Sequence, residues 1–260
     1  MRCPQGPARG ECGDGHRTRI LVARNALFVV NHSAGKDSQA MLLHLRDIGV
    51  PEDQMLIVHA DLGEVEWDGV LDHIHATAGN IPIITARSKT SFFAMVERRG
   101  MFPSPANRQC TSDLKRGPIE REVRRYLKAN PHFGGLVVNC MGMRAEESAA
   151  RAKKAAGFRY SVRNSKAGRE WYDWLPIHAL TERDVFRLIR EAGQEPHWAY
   201  AAGMSRLSCV FCIMASEADL RTAARLMPDL YRRYVHAEQR HGHTLSMSRR
   251  SLEQITGVAI

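Results

Sequence analysis

Apolar positions along this chain alternate between short unbroken runs and spaced repeats. The run Ala26-Leu27-Phe28-Val29-Val30 precedes Ala40, Met41, Leu42, Leu45 and Ile48 at helical spacing, which predicts a strand, a turn and a helix from Ser38 to Ile48. Met55 to Ala60 then reads as a strand, Val70 to Ala78 as a helix and Ile81 to Ile84 as a third strand. A helix follows over Ile119 to Ala129, opened near Pro118, because proline is tolerated in a first turn. Gly135 to Cys140 predicts a fourth strand and Trp171 to Ile177 a fifth, and Thr181 is placed to cap a helix running to Glu191. Strands alternating with helices predict an α/β fold, a parallel sheet of about five strands with helices on both faces. Three regions follow: a mobile leader (1–24), a nucleotide-binding α/β domain (25–180) and a C-terminal helical region with a cysteine pair (181–260).

Composition narrows the class without changing that outline. The 260 residues are 44% hydrophobic and 25% charged, ordinary globular values that exclude collagen, coiled coil and disorder. A formal net charge of +9 favours polyanionic partners such as nucleotides or nucleic acid. Much of the surplus falls in one stretch, where Arg144, Arg151, Lys153, Lys154, Arg159, Arg163, Lys166 and Arg169 face only Glu146, Glu147 and Glu170. That stretch reads as a basic, partly mobile loop. Six cysteines are too few for a disulfide scaffold of this length, no run approaches a membrane span, and the N-terminal stretch has no apolar signal core. The expectation is a cytoplasmic protein.

The most informative segment is Asn31-His32-Ser33-Ala34-Gly35-Lys36-Asp37-Ser38, set between a predicted strand and helix. Such a turn points backbone N–H groups and a helix N-terminus at an anion; Gly35 permits close approach and Lys36 adds charge. It is not a Walker A loop, because Asp37 follows the lysine and the upstream glycine is missing. Ser33 to Ser38 resembles the pyrophosphate loop of the PP-loop ATP pyrophosphatases, enzymes with an adenine nucleotide alpha hydrolase-like fold. Further segments resemble the branch that holds phosphoadenosine phosphosulfate reductases, the ATP sulfurylase small subunit and DNA phosphorothioation sulfur-activating enzymes. They are His59-Ala60-Asp61-Leu62-Gly63-Glu64, Cys110-Thr111-Ser112-Asp113-Leu114-Lys115, Gly142-Met143-Arg144-Ala145-Glu146-Glu147-Ser148 and Trp174-Leu175-Pro176-Ile177. The resemblance implies that ATP sits on Ser33, Ala34, Gly35, Lys36, Asp37, Ser38, Asp61, Gly142, Arg144 and Arg151. Lys36, Asp37, Asp61 and Arg144 would carry the chemistry, with Mg²⁺ near Asp37.

Cys209-Val210-Phe211-Cys212 brings two thiols within reach of one metal, a zinc half-site or a redox pair. With the family's Cys110, the resemblance implies a 4Fe-4S cluster on Cys110, Cys209 and Cys212, its fourth iron open or held by Cys140, although a cysteine ending a strand just before Gly142 reads first as a small buried core residue. Zinc is the alternative, which His197 could complete. His32, beside the loop, is the histidine singled out for function; Cys3 and Cys12 fall in the leader. The expected activity is adenylation of an acceptor, DNA or tRNA, followed by cluster-assisted sulfur transfer from a cysteine desulfurase or other donor. Two readings stand beside it: a phosphoadenosine phosphosulfate reductase or sulfate-adenylating enzyme, and a non-catalytic nucleotide-binding module. The closing Thr256-Gly257-Val258-Ala259-Ile260 lacks the catalytic cysteine tail of sulfonucleotide reductases, which weakens the reductase reading.

Overall fold

The computed structural model describes residues 11–260, with side chains from residue 14 onward. Five parallel strands, β1 (Leu27–Asn31), β2 (Met55–Asp61), β3 (Ile83–Arg87), β4 (Leu136–Cys140) and β6 (Glu170–Trp174), form the sheet, and a two-residue strand, β5 (Arg159–Tyr160), adds an antiparallel edge. Their order is β3-β2-β1-β4-β6-β5. Strand β1 is central and buried on both faces: Phe28 and Val30 enter one core and Leu27 and Val29 the other. That two-sided burial is why β1 reads as an unbroken apolar run instead of an alternating one.

The helices that position the site are α1 (Glu11–Ala23), α2 (Lys36–Asp47), α3 (Val70–Ala78), α4 (Phe92–Arg99), α5 (Gly117–Ala129) and α6 (Glu182–Glu191). Three more, α7 (Glu217–Leu226), α8 (Pro228–His241) and α9 (Leu252–Thr256), build the C-terminal region. Buried Glu238 ties that region together, accepting from Leu245 N and Leu252 N at 2.7 Å each.

Several sequence expectations need correction. The leader is helical from Glu11 to Ala23: Leu21 is buried, and the Arg17 guanidinium lies 5.0 Å from the Tyr172 ring centroid. Cys3 and the Cys12 side chain lie outside the described residues. Strand β3 starts and ends later than its apolar run, because Thr85 and Arg87 pair with β2 although they are polar. Helix α4 is an addition, started by Ser91, whose hydroxyl accepts from Ala94 N at 3.2 Å. The basic stretch has regular pieces, a helical turn (Ala149–Ala152) and β5, and four of its arginines are paired, Arg144 with Asp37, Arg151 with Glu147, Arg159 with Asp173 at 3.4 Å and Arg163 with Glu120 at 2.8 Å. Among the described residues no helix is long and apolar enough to cross a membrane.

Candidate active site

Chain order reverses between β1 and β4, the point where an open parallel sheet leaves a crevice beyond its strand ends. A cavity of about 640 Å³ opens there. The loop after β1 reaches it through Ala34, at a φ of 60°, and the loop is tied internally: Ser33 N donates to Ser38 Oγ at 3.2 Å and Ser38 Oγ donates to Gly35 O at 2.8 Å. Helix α2 begins at Lys36 with no side-chain cap, and Gly35, Lys36, Asp37 and Ser38 line the cavity. The positive end of the helix is therefore turned on an open space, the arrangement that attracts phosphate.

Opposite the loop stands the segment after β4. Buried Arg144 donates from Nε to Asp37 Oδ1 at 2.6 Å and from Nη1 to Glu146 Oε2 at 2.5 Å. Arg151 pairs with Glu147 on the same wall. The Lys36 ammonium meets Glu182 Oε1 at 3.1 Å and Ser205 O at 3.2 Å, and lies over the rings of Tyr200 and Phe186 at 5.2 and 5.8 Å. Tyr200 Oη accepts from Lys36 N at 3.0 Å and Leu207 N at 3.2 Å, and burial pushes its phenol up to about 12, so it stays neutral. Neither Tyr200 nor Glu182 carries a local sequence signal; each lies well over 100 residues from the loop it serves.

Gly142 is needed for close approach. A Cβ there would stand 3.0 Å from Asp37 O and 3.1 Å from Asp37 C, backbone atoms of the loop's own helix. Gly142→Ala is expected to displace the α2 N-terminus at an overpacking cost of about 1–3 kcal/mol, weakening pyrophosphate binding about fivefold or more. Calorimetric titration checks it, and an affinity within twofold of wild type would show that the loop accommodates the extra carbon.

Asp61 lines a different cavity, of about 310 Å³, with Glu64, Arg87 and Phe92. Burial alone would raise its pKa, but hydrogen bonds from Arg87 and from Gly63 N, the latter at 2.6 Å, hold the carboxyl below its ordinary value. The structure thus places Asp61 beside the loop cavity and not within it. Sequence reasoning missed Arg87, whose signal is only its position at the C-terminal end of a strand.

Two buried histidines brace the loop from below. His32 Nδ1 accepts from Ala34 N at 3.1 Å, and burial lowers its pKa to about 3. His59 contacts His32 O at 3.0 Å and Glu66 Oε2 at 3.1 Å. Burial opposes its charge, but Glu66, the His32 carbonyl and Asp61 together offset burial and raise the pKa above the ordinary histidine value.

Cys110, Cys209 and Cys212 lie within electrostatic reach of one another and of Lys115. A π-helical stretch, Ser112–Arg116, carries Lys115 from the cysteine block to the loop cavity, which it also lines. Local π turns of this kind recur at functional sites. Burial raises the Cys209 thiol to about 12 despite the Lys115 charge, and raises Cys110 as well. Cys140 does not join them: its buried thiol donates to Val138 O at 3.7 Å inside the core. Nor does His197, which is spent on backbone, capping a helical turn at Ala199 N and contacting Asp68 O at 3.2 Å.

Among the described residues, no group of three or more His, Cys, Asp or Glu side chains is arranged to hold a metal ion. The three thiols are gathered without forming a preset cage. Their surroundings nevertheless suit a sulfur-rich group in kind. Tyr234 is fully buried with an unpartnered hydroxyl in electrostatic reach of all three cysteines, its ring 5.0 Å from that of Phe211, between Cys209 and Cys212.

Residues 28–215 match the phosphoadenosine phosphosulfate reductase domain. An uncharacterized 37.8 kDa protein of Escherichia phage 186, from the gpa 5′ region, is 32% identical over 122 residues, 47% of this chain and 34% of that protein. An uncharacterized protein of Methanocaldococcus jannaschii is 21% identical over 235 residues, 85% of this chain and 50% of that one. The chain thus spans half or less of the length of these curated relatives. Among solved structures, a Candida auris phosphoadenylyl-sulfate reductase in a phosphate complex is 14% identical, with a TM-score of 0.42, covering 78% of this chain and 97% of that one. Candida glabrata FMN adenylyltransferase with FAD and inorganic pyrophosphate is 10% identical, with a TM-score of 0.45, covering 79% and 68%. With its loop, Arg144 segment and cysteine block all inside the matched residues, the chain belongs to the phosphoadenosine phosphosulfate reductase domain family.

Proposed function

We propose that this chain is an ATP pyrophosphatase that activates an acceptor oxygen as its adenylate, so that sulfur can displace AMP. The observation that carries the reading is the convergence of Lys36, Ser38, Arg144 and Arg151 on one cavity at the uncapped start of α2. The acceptor oxygen attacks the α-phosphorus, the bond from that phosphorus to the bridging oxygen breaks, and pyrophosphate leaves in the loop. Lys36 and the helix N-terminus hold the departing charge, and Arg144 supplies a planar fork of donors. Asp37, whose carboxylate Arg144 engages, would meet the Mg²⁺ that accompanies ATP.

Cys110, Cys209 and Cys212 would hold a 4Fe-4S cluster, which when bound supplies sulfide chemistry next to the adenylate. Lys115, shared between thiols and cavity, links the two halves electrostatically. A nucleic-acid acceptor is supported by exposed Lys153 and Lys154, which line a hollow that shares Met141 and Met143 with the loop cavity. The C-terminal arginines lend less support, since Arg221 pairs with Glu217 at 3.0 Å, Arg232 with Asp229, and Arg233 with Glu64 at 3.1 Å. The family match also favours a second reading, reduction of a sulfonucleotide.

One experiment separates them. Protein purified without oxygen is assayed for pyrophosphate release from ATP and, with a dithiol supplied as the two-electron reductant, for sulfite release from phosphoadenosine phosphosulfate, with iron, sulfide and zinc measured on wild type and Cys209→Ala. Pyrophosphate release is expected, with iron and sulfide bound by wild type and lost in the variant. Sulfite without pyrophosphate would replace the first reading by the second. Zinc alone, or no metal, would remove the cluster and leave only the ATP site.

A further inference from the structure

Three cations that line the loop cavity, Lys36, Arg144 and Arg151, each already hold a carboxylate of this chain. Lys36 Nζ meets Glu182 at 3.1 Å, Arg144 meets Asp37 at 2.6 Å and Glu146 at 2.5 Å, and Arg151 meets Glu147. Two of these contacts are coupled through the backbone, because Glu182 N donates at 2.7 Å to the same Glu146 oxygen that Arg144 engages. The first residue of α6 is thereby pinned to both cations at once, its carboxylate to Lys36 and its amide to the Arg144 partner. Glu182 lies outside every motif of the loop, and its side chain is 53% exposed, so it can swing into solvent without opening the core.

We infer that Glu182 is an affinity-determining residue of the nucleotide site: its carboxylate occupies the place of a phosphate oxygen on Lys36 and leaves when phosphate enters. The inference rests on the nucleotide reading given above. Its physical basis is competition for one ammonium, since Lys36 cannot give its charge fully to pyrophosphate while Glu182 holds it, and two anions on one side of a buried cation repel. Removal of the competing charge tightens phosphate binding, whereas a carboxylate that served the ligand by holding a metal would do the opposite.

The test is calorimetric titration of wild type, Glu182→Gln and Glu191→Gln with inorganic pyrophosphate, first with a chelator and then with Mg²⁺. Glu182→Gln keeps the length of the side chain and removes its charge; Glu191→Gln removes a charge from the far end of the same helix. Glu182→Gln is expected to bind pyrophosphate about fivefold more tightly in both conditions, the upper range for a partly exposed ion pair, with Glu191→Gln unchanged. Binding by the variant where wild type shows none would support the inference still more strongly. Unchanged or weaker binding by Glu182→Gln, with wild type binding normally, overturns the inference and leaves the nucleotide reading intact. Equal tightening by Glu191→Gln would reduce the effect to general charge and also overturn it. Failure of all three proteins to bind would remove the nucleotide reading and the inference together.

Discussion

Lys36→Ala is expected to lower the rate of pyrophosphate release from ATP by about 10²–10³-fold, the cost of removing one preorganised donor from a site of developing charge. The lysine is 4% exposed and held by Ser205 O and two aromatic rings, so once the exposed Glu182 carboxylate swings away its charge meets the leaving group with little further reorganisation. Arg144→Lys keeps the charge but loses the fork that reaches Asp37 and Glu146 together, and about 10²-fold is expected there. Neither change should unfold the protein, because Glu182 is half in solvent and the Arg144 partners keep a cation beside them. A coupled phosphate assay measures the rates, and thermal unfolding confirms that both variants are folded. Rates within tenfold of wild type for both would show that the chemistry is not at this loop.

Much of that site was legible in the sequence, and the limits have a physical pattern. Strand β1 and the loop after it announce themselves locally: an apolar run buried on both faces, a glycine at the start of a helix, a lysine inside its first turn. The Cys110 block and the Cys209 pair were also visible, but their meeting at Lys115 is a product of the fold. What stayed hidden are partnerships across the chain, namely Tyr200 under the Lys36 amide, Glu182 on its ammonium and Arg87 on Asp61. No spacing rule links residues that far apart. The position of Asp61 in a neighbouring cavity was hidden for a related reason, since a strand end specifies which rim of the sheet a residue joins but not which hollow it faces. Cys140 reads from the sequence first as a small buried core residue at a strand end and second as a ligand, and here the core claims it.

The second large effect is on stability in acid. Burial holds His32 near pKa 3, and burial with neighbouring His197 holds His73 near 4, both well below the ordinary histidine value of 6.5. For a depressed base the unfolded chain binds a proton that the folded chain refuses, so stability falls as pH drops below about 6.5 and goes on falling toward 4. With two such groups the slope approaches about 2.7 kcal/mol per pH unit at its steepest. His59 acts with the opposite sign: its raised pKa adds stability that is complete below about 6.5 and is lost as pH rises through the folded value. Asp61, held low, contributes stability above its ordinary value of 3.8 and loses it only as pH falls through its depressed folded value, below the histidine window. Urea unfolding at several values between pH 4 and 7 should therefore show a steep acid limb, and His32→Asn, which keeps an acceptor for Ala34 N without a titrating ring, should halve it. An unchanged limb in that variant would place the acid lability elsewhere. His32 Nδ1 is also the acceptor that holds Ala34 at its left-handed φ, so the folded loop keeps its shape across that limb and lets go only near pH 3, where the buried ring takes up a proton.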